Sequence, residues 1–201
     1  MPEGKDLVEA LGRALDQTGR VIAGVKPDQA SLSTPCASWD VRALVNHIVH
    51  DVRGFTETAK GGAFRQGDHD IIGDDWIDAY GAAAADLLVV WERPGATEAT
   101  ITLPFGEFPA TWRSGQQITD LVVHAWDVAT ATGQTTDLEP ELGQIALDWG
   151  RENLKPSFRG DELSGRAFGL EVPVPDDAPL HDRLAGFFGR DPGRLDMSQA
   201  R

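Results

Sequence analysis

From residue 116 to residue 132 the chain reads QQITDLVVHAWDVATAT, and this segment constrains the fold more than any other. Leu121, Val122, Val123, Ala125, Trp126, Val128 and Ala129 cover most of the circumference of the helix that the spacing predicts. At roughly 100° per residue, Asp120, His124 and Asp127 fall within an arc of about 60°. An apolar sector this wide does not suit a surface helix. The segment belongs deep among other helices, its narrow polar stripe facing either water or an enclosed polar pocket.

Other segments supply the neighbours. Residues 5–25 place Leu7, Leu11, Leu15, Val21, Ile22 and Val25 at mostly three-to-four spacing, which predicts a first helix. Ser38 or Asp40 caps a second, whose core stripe is Val41, Leu44, Val45, Ile48, Val52 and Phe55. Asp74 or Asp75 caps a third over 76–93, Gly133 ends the fourth, and 139–154 forms a fifth. Residues 94–112 lack helical period and read as a short hairpin or an extended crossing loop. The tail is Pro-rich and then briefly helical. Together these predict an all-α bundle with long crossing loops. One domain is expected over 1–201, with about 165–201 as a C-terminal extension.

Composition narrows the function. A formal charge of −14 and the scatter of the 18 basic residues argue against nucleic-acid binding, which needs clustered Lys and Arg. No apolar run approaches the roughly 18 residues of a membrane span. Cys36 is the single cysteine, so no internal disulfide forms, and a cytoplasmic protein is expected. Cys36 has no cysteine or histidine at ligand spacing and reads as a buried loop thiol.

The acid–imidazole–acid stripe has two readings, a solvated helix face or the wall of a pocket. Burying aspartate unpaired is costly, and the usual compensation is a cation, a metal or a full set of hydrogen bonds. No Lys or Arg lies between Arg113 and Arg151, so this helix offers no nearby cation, which favours a metal. One helix supplies at most two adjacent ligands, and His47, at the edge of the second helix's apolar stripe, is the candidate third. Taken alone, His47 also reads as a core-edge histidine satisfied by a hydrogen bond. His50 points further toward solvent, and His69 and His181 read as exposed. If His47, Asp120 and His124 converge, they make a two-histidine, one-carboxylate set with open positions, the catalytic pattern. Zinc suits such a set, and nickel or ferrous iron tolerates the same ligands. Asp127 is an alternative ligand, an orienting group for a ligand histidine, or a catalytic base. Phe105, Phe108 and Trp112 read as packing for an irregular segment or as pocket lining.

The stretches LSTPCASWDVRALVNHIVHD, ITDLVVHAWDVATATGQ and VPDDAPLHDRLAGFFGRDP resemble an actinobacterial branch of the DinB-like superfamily. That branch is similar to the N-terminal domain of mycothiol-dependent maleylpyruvate isomerase, and the likeness spans nearly the whole chain. The resemblance implies a DinB-like four-helix bundle holding a divalent metal through three side chains. Its first ligand histidine falls on His47, and its Glu-x-x-x-His pair falls on Asp120 and His124, with aspartate where the family has glutamate. It further implies a small-molecule electrophile as substrate, a low-molecular-weight thiol such as mycothiol as co-substrate, and a homodimer as one form of the protein. The isomerase is expected to carry a further C-terminal domain that contributes to its active site, whereas this chain ends after a short tail. The expectation is therefore a metal-dependent thiol transferase or isomerase. A metal-dependent hydrolase, with water in place of thiol, and a non-catalytic metal- or ligand-binding bundle are the alternatives.

Overall fold

The computed structural model describes residues 4–36, 39–63, 67, 69–103, 106–160 and 168–194. It is mostly helical, with α1 (Gly4–Ala23), α2 (Val41–Ala59), α3 (Trp76–Trp91), α4 (Ala110–Thr132), α5 (Pro140–Asn153) and α6 (Leu180–Phe187). A two-stranded antiparallel sheet, β1 (Thr100–Leu103) and β2 (Gly106–Pro109), fills the crossing between α3 and α4. The all-α, DinB-like expectation holds, and of the two readings for 94–112 the hairpin is the one observed.

Local chemistry sets the helix ends. Asp40 caps α2 by accepting from the Ala43 amide at 2.8 Å, and Asp75 caps α3 by accepting from Asp78 at 3.0 Å. The alternative cap Ser38 lies outside the described residues. Gly133 terminates α4 at φ 68°, a left-handed conformation that favours glycine. Pro140 opens α5, where its missing N–H costs nothing.

Helix α4 packs against α1, α2 and α5 at once. That position explains its wide apolar sector, because Ile118, Val122, Ala125, Val128 and Ala129 are all fully buried. Leu7, Leu11 and Leu15 of α1, Leu44 and Ile48 of α2, and Leu87 of α3 complete the core. The helix begins at Ala110, six residues before the predicted start at 116. Its first turns carry Arg113, Ser114 and Gln117, polar residues buried inside the bundle, so no apolar stripe announces them.

Two loops are fastened to the bundle by side chains. Asn46 donates to the His69 carbonyl and accepts from the Ile71 amide, which holds the α2–α3 connection against α2. His50 joins this clasp, with Nε2 2.8 Å from the same carbonyl. His50 is thus buried rather than solvent-facing, because this loop covers its side of α2, while His69 is exposed as expected. On the far side Phe108 stacks on Trp112 at 4.2 Å, and Trp112 donates to Asn153, so these two aromatics act as packing. Phe105 lies outside the described residues.

The tail folds back onto the bundle through α6, which packs on α5 and α4. His181 is buried rather than exposed, seated against Gly143 of α5 so closely that a methyl on that glycine would stand 2.9 Å from the imidazole Nε2. After α6 the chain turns at Gly189, whose φ is 85° and whose Cβ would sit 2.6 Å from the Gly169 Cα. Only glycine fits that turn, and the next residue, Arg190, is thereby aimed into the bundle.

Candidate functional site

Helices α2 and α4 meet along a polar seam. His47 faces His124 with ring centroids 5.1 Å apart and planes at 89°. One turn further along α2, the Asp51 charge acts on Asp120. One more turn along, the Phe55 ring receives the Arg113 guanidinium at 4.2 Å. As the α2 numbers rise the α4 numbers fall, so the two helices run antiparallel and their polar residues keep one face.

Each histidine at the upper end of the seam is held by a carboxylate of its own helix. His124 Nδ1 lies 3.1 Å from Asp127 Oδ2. Burial pushes Asp127 upward, but the Arg190 charge and the hydrogen bonds from His124 and Arg190 outweigh it and hold the carboxyl below its usual range. Asp127 is therefore an acceptor and His124 donates from Nδ1, so Nε2 is the ring nitrogen not tied to Asp127. His47 Nε2 lies 3.1 Å from Asp51 Oδ2. Burial, then the charges of His124, His50 and Arg190, push His47 down to about 3, which keeps the ring neutral. Burial and the neighbouring Asp120 push Asp51 up to about 8, with Arg113 opposing. Trp39, from the loop before α2, stacks on His47 at 4.1 Å and presents its edge to His124 at 6.2 Å.

The carboxylates on α4 are treated differently. Asp127 is fully buried and takes Arg190 through Nη2 at 2.8 Å and Nε at 3.1 Å, while Arg190 Nη1 donates to the Phe188 carbonyl. Asp120 accepts no hydrogen bond from any described residue. Burial raises it to about 6, against the opposing charges of His124, Arg113 and Arg190.

Of the residues singled out in the sequence, the fold brings His47 and His124 face to face and sets Asp120 one turn from His124. Among the described residues no three His, Cys, Asp or Glu side chains are gathered around one point where a cation would reach them all. The donor chemistry nonetheless fits a divalent cation. Two imidazoles each have one nitrogen beside a carboxyl group of their own helix, and the adjacent Asp120 accepts no hydrogen bond from any described residue. The expectation that α4 lacks a cation needs correction. Arg113 lies on α4 itself, two turns before Asp120, and Arg190 arrives from the tail, 63 residues beyond Asp127. Cys36 is half-buried rather than buried, close enough to Arg190 for their charges to interact. Asp51 and Trp39 join the site as well, Asp51 at i+4 from His47 and Trp39 from the motif that enters α2, neither of which the spacing alone assigns a role.

The family described as "Mycothiol maleylpyruvate isomerase N-terminal domain" is matched by residues 11–129. Two relatives, each described as an uncharacterized protein of Mycobacterium tuberculosis (strains CDC 1551 / Oshkosh and ATCC 25618 / H37Rv), are 38% identical over 185 residues. Those alignments cover 92% of this chain and 98% of each relative. A crystal structure of the mycothiol-dependent maleylpyruvate isomerase superposes with a TM-score of 0.62 at 15% identity, over 92% of this chain and 90% of that one. A histidine-to-alanine mutant of that enzyme superposes with a TM-score of 0.60 at 13% identity. At such identities the likeness is one of fold. The coverage also corrects the expectation of a large missing domain, since this chain spans nearly all of the isomerase chain.

Proposed function

Because the chain belongs to the family of the mycothiol maleylpyruvate isomerase N-terminal domain, we propose that it is a thiol-dependent isomerase or transferase acting on a small electrophile, with a divalent cation, zinc foremost, held by His47, Asp120 and His124. The observation that carries this reading is the pairing of each facing histidine with a carboxylate on its own helix, His47 with Asp51 and His124 with Asp127. Ligand histidines are oriented in this way, their second nitrogen donating to a carboxylate that fixes the tautomer. Asp120, which accepts no hydrogen bond from any described residue, supplies negative charge that a cation offsets. The chemistry a bound divalent cation adds is to hold a thiol as its thiolate, the nucleophilic form.

The chain's own residues do the rest. Asp127 and Arg190 act as one unit that fixes the His124 ring, so Asp127 is an orienting group rather than the base that acts on substrate. Asp51 sits on His47 Nε2, and with its carboxyl pushed up to about 8 it must lose its proton before Nε2–H can donate to it and Nδ1 be engaged. Trp39 covers the outer face of His47 and excludes water from that side. Mycothiol is the co-substrate that the family points to.

Two measurements on the purified chain test this. Metal content is expected near one zinc per chain in the parent and far below that in His47→Ala and His124→Ala. Turnover of maleylpyruvate is expected only when mycothiol is present. Stoichiometric metal in both histidine variants would sink the ligand assignment. Metal-dependent turnover that needs no thiol would favour a hydrolase, and metal binding without turnover would favour a binding protein.

A further inference from the structure

The polar stripe of α4 continues below the residues of the candidate site. Arg113, Gln117, Asp120, His124 and Asp127 follow one another at spacings of four, three, four and three. At roughly 100° per residue, Gln117 and His124 point within about 20° of each other, and Gln117 and Asp120 are neighbours one turn apart. Gln117 is fully buried. Its side-chain oxygen accepts from the Trp91 indole at 3.0 Å. An indole nitrogen only donates, so the atom it meets is the amide oxygen and the NH2 group is the other branch. That nitrogen finds no acceptor among the described residues.

A buried amide with unused donor hydrogens is unfavourable, and leucine or methionine would fill much the same volume without the loss. Solvent does not meet it from the side of α3. Trp91 lines a cavity there with Thr58, Val90 and Thr100, and Gln117 does not border it. Asp120, one turn on along the same face, is the complementary case, since its carboxyl accepts no hydrogen bond from any described residue. Arg113 and Arg190 act on it by charge without donating to it. Across the seam, Asp51 Oδ1 is another buried oxygen without a partner among the described residues, but the other oxygen of that carboxyl already meets His47 Nε2. An unmet donor and an unmet acceptor at i and i+3 of one helix are within reach of each other.

We propose, on the reading that His47, Asp120 and His124 hold a divalent cation, that Gln117 is the positioning residue for Asp120. Its NH2 group donates to the carboxylate oxygen that Asp120 does not give to the cation, and Trp91 holds the far end of the amide so that the donor does not turn away. Ligand carboxylates are hydrogen-bonded in their turn, as ligand histidines are. Asp51 then serves His47, Asp127 serves His124 and Gln117 serves Asp120. Each of the three is attended by a residue one turn away on its own helix.

Zinc affinity of the full chain, measured by competition with a chromophoric chelator, tests this without reference to turnover. Gln117→Met keeps the volume and removes the donor, and is expected to weaken zinc binding roughly 10- to 100-fold. It also strands the Trp91 indole, so a second variant combines Gln117→Met with Trp91→Phe and removes both partners of that bond. The pair of changes is expected to leave the circular dichroism and thermal unfolding of the metal-free chain near those of the parent, with the same loss of zinc. In Asp120→Ala, where the two histidines bind zinc weakly, adding Gln117→Met is expected to lower affinity less than about threefold, the coupling that a direct pair gives. A parent that binds zinc while Gln117→Met with Trp91→Phe binds it as tightly overturns the role of Gln117 and leaves the metal reading standing. An undiminished loss in the Asp120→Ala background sends the donor to another acceptor, such as Asp51, and overturns it too. A parent that takes up no zinc overturns the metal reading, and the role of Gln117 with it.

Discussion

Asp127 and Asp120 stand two turns apart on the same face of α4, one closed and the other open. Asp127 has no exposure, accepts from His124 and takes the fork of Arg190. Asp120 faces the same seam, shares it with Asp51, and accepts no hydrogen bond from any described residue. A buried carboxylate with all its partners in place is part of the scaffold. Asp120 is partly exposed, and among the described residues its lone pairs are left to solvent or to a ligand. The contrast separates two residues that look equivalent in a helical stripe.

The hardest blow to this picture comes from the closed end. Asp127→Ala leaves the Arg190 guanidinium, 8% exposed, without its carboxylate. Breaking a buried pair by removing one partner costs about 3–5 kcal/mol, because the other charge stays desolvated. Chemical denaturation is expected to show a loss of that size for Asp127→Ala and for Arg190→Ala. The double variant should be less damaged than the sum of the two. A loss below about 1 kcal/mol in either single variant would mean that Asp127 is not pinned, and the distinction between the carboxylates would fall.

The open end predicts a smaller effect on the fold and a larger one on binding. Asp120→Asn keeps the shape and removes a charge that faces Asp51. In the metal-free protein its unfolding free energy is expected within about 1 kcal/mol of the parent, on either side. Added zinc is expected to raise the melting temperature of the parent, since a ligand that binds only the folded state stabilises it. In Asp120→Asn that rise should be markedly smaller. An equal rise in both proteins would remove Asp120 from the ligand set and leave it as a solvated acid.

How much of this was legible in the sequence follows the reach of the forces involved. The core faces of α1, α2 and α3 were legible because apolar spacing repeats within each helix, and the caps Asp40 and Asp75 because capping is local. His47, Asp120 and His124 stood out for the same reason, at helical spacing on apolar helices. What crosses the fold was not legible. Arg190 reaches Asp127 only because Gly189 turns the tail inward and α6 docks on α5, which no spacing near residue 127 reveals. His50 turned inward because a loop 19 residues later covers it. The first turns of α4 were lost because Arg113, Ser114 and Gln117 are buried polar residues, the reverse of the pattern that marks a core-facing helix.

The smallest effect tests how the closed end is assembled. Arg190 reaches Asp127 from the end of α6, and α6 is seated by His181, whose Nε2 has no hydrogen-bond partner among the described residues. Burial pushes the His181 imidazole below its ordinary range, with the charges of Asp137 and Asp182 opposing. The folded chain therefore takes up this proton less readily than the unfolded one. Below about pH 6.5 the unfolded state binds more protons, so stability falls as the pH drops toward the depressed folded value and levels off beneath it. One such group contributes at most about 1.4 kcal/mol per pH unit. As the pH drops from 8 to 5, the urea midpoint of the parent is expected to decline relative to that of His181→Gln, which cannot take up the proton. Parallel curves for the two proteins would show that α6, and with it Arg190, is held by packing alone.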